Sequence, residues 1–260
     1  MTCARIGALA LSAAIAAAAM TTGASALTVT QSWFGETEGG SPVIPTSGPA
    51  LSAHDAFLGA LESSDVADFE GLDDGTQLST TNGAGAGWTT YGGAAFSDNG
   101  LGGPARIRTG ITANEQYYSS PENFVLIGSG GQITIDLGLS GANAFGLYAT
   151  DVGDFGDSLM IEALSFDGSL NPIWTELGNL ATTSADPKSN LLFAGFTTDE
   201  NFFGLRLTVS NVRGNDQFGL DDFILGSTPG AATVPIPGAG LLLLSGLAGL
   251  AGLGARRRAA

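Results

Sequence analysis

Over its second half the chain alternates apolar and polar residues in short runs, the period-two pattern of strands with one buried face. Ile133-Thr134-Ile135-Asp136-Leu137 shows it most clearly, and Ala144 to Tyr148 repeats it. Ser158 to Phe166 carries it again, with Leu159, Ile161, Ala163 and Leu164 as inward candidates. Phe124 to Ile127, Trp174 to Leu177, Leu191 to Phe196, Phe203 to Val209 and Phe218 to Leu225 are further strand-like runs. Leu27 to Phe34, Val66 to Glu70 and Trp88 to Tyr91 extend the set towards the N-terminus. Turn residues separate the runs, as at Asp73-Asp74-Gly75, Gly83 to Gly87 and Gly128-Ser129-Gly130-Gly131. One segment has the helical period instead. Ser52-Ala53-His54-Asp55 resembles a capping box with Asp in place of Glu, and Phe57 and Leu61 fall on one face. A helix from Ser52 to about Ser63-Ser64 is predicted there, after a Gly/Pro/Ser-rich loop from Gly39 to Pro49. Together these runs predict an all-β domain, a jelly-roll-like β-sandwich with one short helix near its N-terminus.

Two apolar stretches of another kind stand at the ends. Arg5 precedes an apolar run from Ile6 to Met20, and Ala24-Ser25-Ala26 supplies small residues for cleavage. Residues 1–26 therefore read as a secretory signal helix, removed at Ala24-x-Ala26. The sandwich occupies 27–225 and a linker 226–233, followed by a tail over 234–260. In that tail Val234-Pro235-Ile236-Pro237-Gly238 leads into an uncharged stretch, 238–255, and then Arg256-Arg257-Arg258. As a helix this stretch would span about 27 Å at ~1.5 Å per residue, enough to cross the hydrocarbon core of a membrane. The arginines hold their end in the cytoplasm and put the domain outside.

Motif, transmembrane helix and basic end, in that order, resemble the PEP-CTERM class of sorting tails in its VPLPA variant. The tail departs from it at Ile236 (for Leu) and Gly238 (for Ala). The resemblance implies recognition of Val234 to Gly238 and Arg256 to Arg258 by an exosortase-type membrane peptidase, in Gram-negative bacteria that make exopolysaccharide. The protein would be held briefly in the inner membrane, then placed at the cell surface or in the matrix. A plain single-span anchor is the bland alternative.

Charge changes the picture once the ends are set aside. The whole chain of 260 residues carries a formal −16, but four of its nine basic residues lie in the two ends. All 25 acids lie between Glu36 and Asp222, against Arg106, Arg108, Lys188, Arg206 and Arg213, so the exported part stands at −20. Such a surface repels phosphate backbones and anionic lipid, which excludes nucleic acid as a partner and favours cations and neutral sugars. Cys3, the only cysteine, lies in the leader, which excludes disulfides and thiol chemistry from the mature chain.

Three segments, Asp68 to Leu72, Ala144 to Tyr148 with Asp151 to Asp154, and Phe218 to Phe223, carry a further likeness. Through them the middle domain resembles galactose-binding-like and carbohydrate-binding-module sandwiches. Likeness to calcium-bearing members implies a structural calcium at Glu70 and Asp221, with Asp222 as a further ligand, since calcium takes several hard oxygens in irregular geometry. The same acids read equally as turn caps facing solvent. Asp151, Asp154 and Asp157 lack the alternate spacing and the downstream Glu of an EF-hand loop. His54 is the only histidine, no Gly-x-Ser-x-Gly elbow accompanies it, and it reads as helix surface. Trp88, Tyr91, Tyr117, Tyr118 and Trp174 are candidates for a sugar-stacking surface, or for packing. The leading expectation is a non-catalytic cell-surface or exopolysaccharide-matrix protein. A carbohydrate-binding module for extracellular glycan is the second, and a glycoside hydrolase the third.

Overall fold

A computed structural model describes residues 26–38, 44–80, 89–91, 94–99, 101–112, 116–119, 121–138, 140–153, 155–183, 190–210 and 216–229. The predicted signal helix and transmembrane helix lie outside these residues. In chain order the elements are β1 (Val29–Thr37), α1 (Pro49–Ala60), β2 (Ser63–Ala67), β3 (Ser79–Thr80), β4 (Thr89–Tyr91), β5 (Ala94–Asp98) and β6 (Arg106–Thr109). They continue as β7 (Asn123–Gly128), β8 (Gln132–Asp136), β9 (Ala142–Thr150), β10 (Leu159–Phe166), β11 (Pro172–Leu180), β12 (Leu191–Phe202), β13 (Gly204–Val209) and β14 (Gln217–Ser227).

The strands form two sheets of seven, which gives the predicted β-sandwich. The first runs β1-β12-β9-β14-β7-β6, and β2 pairs with the second half of β14 where β7 leaves off. The second runs β11-β10-β13-β8-β5-β3, with β4 on β5. Between them lies one core, built from alternate residues such as Ile133 and Ile135, Leu159, Ile161 and Ala163, and Leu205 and Leu207. Its aromatic centre is Phe223, whose ring meets Phe69 edge-on at 5.3 Å and lies 5.8 Å from Phe96 and 6.2 Å from Phe145.

Phe223 reaches the core through a break in the strand period. Phe218 and Leu220 face inward, so strict alternation would turn Asp222 inward and Phe223 outward. A bulge between Asp221 and Ile224 inserts one residue, with Asp222 at φ 46° in the left-handed region. After it Phe223 points inward, and Ile224 outward under the helix.

Helix α1 starts three residues before the predicted position. Pro49 takes the first helical positions, where its missing N–H costs nothing, and Ser52 lies inside the helix donating its N–H to Gly48. The helix roofs the outer face of the first sheet. Phe57 enters a hole made by Gly146 and Gly195, which are direct partners across β9 and β12. A Cβ on either glycine would come within 2.7 Å of the Phe57 ring. This roof is why all nine residues of β9 are buried. Phe145, Leu147 and Ala149 face the core, while Ala144 and Tyr148 face the helix layer. Strand β10 keeps its alternation because among the described residues no element covers its outer face, and Leu164, expected inward, lies on that outer face opposite Trp174.

Glu36 fastens the edge strand β1. Its carboxylate accepts bonds from the Thr182 hydroxyl, from Thr183 N at 2.8 Å and Oγ1 at 2.7 Å, and from Asn190 Nδ2 at 2.9 Å. Burial alone would raise its pKa, but these bonds outweigh burial and hold it below the usual glutamate range. A carboxyl lowered in the folded state contributes stability above its unfolded pKa and loses it as pH falls through the folded value. Glu36→Gln is therefore expected to lower the melting temperature at pH 7, with the gap to wild type closing as pH falls below the usual carboxylate range. Thermal melts across that range check it, and a gap that does not vary with pH contradicts it.

Candidate ligand-binding face

The two outer faces of the sandwich differ. On the first sheet, α1 covers β1 and β12, and the Tyr117–Ser119 segment bonds to β9 and β14. On the second sheet, whose outer face no described element covers, the register of the strands sets a row of polar side chains. Glu162 of β10 stands between Glu176 of β11 and Arg206 of β13, and Arg206 stands opposite Thr134 of β8. Thr208 and Gln132 form the next rung, joined by a 2.9 Å bond from Gln132 Nε2.

An aromatic side chain is fixed at the edge of this row. Arg206 donates Nε to Glu162 Oε2 at 2.6 Å and Nη2 to Oε1 at 2.7 Å, a two-pronged pair. The same guanidinium lies 4.3 Å from the centre of the Trp174 ring. Trp174 is half-buried, and the pair beside it leaves the indole little rotational freedom. The arrangement offers a flat apolar ring next to fixed hydroxyl, amide and carboxylate groups. That combination suits the two sides of a sugar, its apolar CH face and its rim of hydroxyls. Glu162 neutralises Arg206 and Glu176 adds a negative charge, so the row favours no anion.

No family model matches this chain. No curated protein matches it either. Several solved structures are similar in outline. The K2 cleaved adhesin domain of Lys-gingipain is 13% identical, with 63% of this chain and 99% of that one covered and a TM-score of 0.42. A variant of a family 29 carbohydrate-binding module is 9% identical over 64% of this chain and 94% of its own, with a TM-score of 0.36. The C-terminal family 22 carbohydrate-binding module of Clostridium thermocellum Xyn10B is 10% identical over 66% and 97%, at 0.35. At these values the likeness assigns neither residues nor ligand to this chain.

Of the residues expected to hold calcium, Asp221 and Asp222 lie under the Tyr117–Ser119 segment, and Glu70 lies at the start of β7. The early and late segments do meet, since β2 pairs with β14. Glu70 Oε1, however, accepts the backbone N–H groups of Glu122 and Asn123 at 3.0 and 2.8 Å, where β7 begins. Asp221 is buried and accepts Ser119 N at 2.7 Å, while the Ser119 hydroxyl lies 2.9 Å from both Asp221 Oδ2 and Asp222 Oδ2. Asp221 Oδ1 also accepts the N–H of Asp222, which steadies the bulge. Among the described residues no three acidic, histidine or cysteine side chains are grouped as a metal site.

The other candidates have structural surroundings. Asp157 is buried and accepts the hydroxyls of Ser129 at 2.8 Å and Ser210 at 2.9 Å. Asp151, also buried, accepts Gln116 Nε2 at 2.5 Å; Asp154 lies outside the described residues. His54 rests against Tyr148 and Phe193, ring centres 5.2 and 5.3 Å away. Tyr117 is buried, and burial first, with the Asp151 charge second, pushes its hydroxyl pKa well up, so it remains neutral. Trp88 lies outside the described residues. Trp174 lies on the outer face of the second sheet, opposite Leu164. Arg206 and Glu162 escaped notice because their pairing depends on register between strands 44 residues apart.

Proposed function

We propose that this chain is an exported, non-catalytic sandwich whose uncovered sheet face binds a neutral extracellular polysaccharide. The observation that carries the proposal is the Trp174–Arg206–Glu162 platform beside the Thr134, Thr208 and Gln132 ladder. The exported charge of −20 gives the preference for neutral chains. Affinity electrophoresis of the purified protein through gels containing a soluble β-glucan, a galactomannan or alginate tests it. Retardation by a neutral polymer and not by alginate is expected. Free migration in both neutral gels contradicts the proposal.

The sorting role belongs to the same proposal and rests on the order of Val234 to Gly238, the apolar stretch 238–255 and Arg256 to Arg258. It makes an exosortase-type membrane peptidase the processing partner and the cell surface or matrix the destination. Mass spectrometry of the mature protein checks this, because a chain still ending in its arginines was not processed. Calcium at Glu70, Asp221 and Asp222 is likewise proposed, and a calorimetric titration giving no heat at millimolar calcium contradicts it.

A further inference from the structure

Both chain ends leave the sandwich at one pole. At the start, Thr28 N donates to Asp199 Oδ1 at 2.9 Å, and Asp199 N returns a 3.1 Å bond to Thr28 O. At the finish, Thr228 N donates to Asn143 Oδ1 at 2.9 Å, and Asn143 Nδ2 donates to Thr228 Oγ1 at 2.6 Å. Asn143 is fully buried and also reaches Thr198 O at 3.4 Å. The two exits are thus fastened to adjacent residues, Thr198 and Asp199, near the end of β12.

The same pole carries an apolar cluster. Phe203 follows β12 directly, its N–H donates to Leu164 O, and its ring lies 5.7 Å from that of Phe166. Phe166 is 42% exposed, and Leu170, at the tip of the β10–β11 hairpin, is 61% exposed. Leu170 stands at φ 65°, a conformation that disfavours a leucine. The turn is held there by Asp167, whose carboxylate accepts Ser169 N, Asn171 N and Asn171 Nδ2, each at 2.8 Å. A rigid turn therefore presents a strained, exposed leucine beside an exposed phenylalanine. Neither cost is repaid inside the fold, and such local conflicts gather at functional surfaces.

We propose that Phe166, Leu170 and Phe203 form a membrane-resting surface, which seats this pole in the headgroup region of the bilayer holding the tail. The inference rests on the tail being membrane-inserted, as proposed above. From Thr228 to Gly238 the chain reaches at most about 35 Å, so this pole is tethered within that distance of the bilayer and faces it. The opposite pole is a strand length further away, about 30 Å, and touches the bilayer only with the linker stretched along the domain. Asp136, opposite Gly204, Asp167 in the hairpin turn, and Asp199 and Glu200 near the end of β12 stand at the same pole, so the contact is apolar and anionic lipid weakens it. Phenylalanine and leucine side chains at the level of the headgroups suit such a contact.

The test uses the mature chain, residues 27–260, which contains no cysteine, reconstituted in phosphatidylcholine vesicles with brominated acyl chains. A fluorophore is placed at Leu170→Cys or, as control, at Leu101→Cys, an exposed leucine in the turn packed against Gly128 and Ser129 at the other pole. Quenching by bromine at 170 and none at 101 is expected; equal quenching at both overturns the inference. A chain that fails to float with vesicles removes the tail reading and this inference together, so the two failures are distinguishable. A Phe166→Ser, Leu170→Asn variant gives a second arm, because Asn tolerates the left-handed turn and the fold is kept. Adding vesicles slows exchange of amides 166–171 in wild type but not in this variant; an equal slowing in both overturns the inference.

Discussion

A Trp174→Ala protein is expected to bind neutral polysaccharide roughly 30-fold more weakly than wild type, a loss of ~2 kcal/mol of the kind seen for a central aromatic anchor. Its melting temperature should change little, because Trp174 is half-buried on an edge strand and belongs to neither core cluster. Arg206→Ala should weaken binding less and by another route. It removes the guanidinium that orients the indole and leaves Glu162 without its two-pronged partner. Isothermal titration of the three proteins with the polymer that retards wild type separates these effects. Equal affinity of Trp174→Ala and wild type removes the platform from the account.

The largest effect on stability is expected at Phe223. Truncation to alanine leaves a void among Phe69, Phe96 and Phe145 in a fully enclosed part of the core, and Phe→Ala changes at such sites cost about 3–5 kcal/mol. For a domain of this size the loss corresponds to roughly 10 °C in melting temperature. Ile224→Ala, one residue on but under the helix, should cost less because it removes fewer atoms. Calorimetry of the two variants checks the order, and the reverse order would mean that the bulge does not set the phase of β14 as described.

That bulge marks where local pattern stops being informative. Phe218-Gly219-Leu220-Asp221-Asp222-Phe223 has no consistent period of two, and only tertiary demand for Phe223 in the core explains the left-handed Asp222. Strand β10 was legible because one of its faces is uncovered, so Leu159, Ile161 and Ala163 alternate cleanly with polar or outer residues. Strand β9 read as the same kind of strand, yet both its faces are buried, since Phe57 arrives from a helix about ninety residues earlier. Strands β3, β5 and β6 do not show in the sequence pattern because they are two to five residues long, too short to carry a period. The candidate site was half legible. Trp174 stood out as an aromatic in a strand run, but its value comes from Arg206 and Glu162, which only the β10–β13 register brings beside it.

The central claim is that the ligand face is the uncovered second sheet and not the helix-roofed first one. Hydrogen exchange of the full chain with and without the retarding polysaccharide tests it most directly. The account predicts slowed exchange confined to β10, β11, β13 and β8. Slowed exchange on α1 and the Tyr117–Ser119 segment, with the second sheet unchanged, would contradict it.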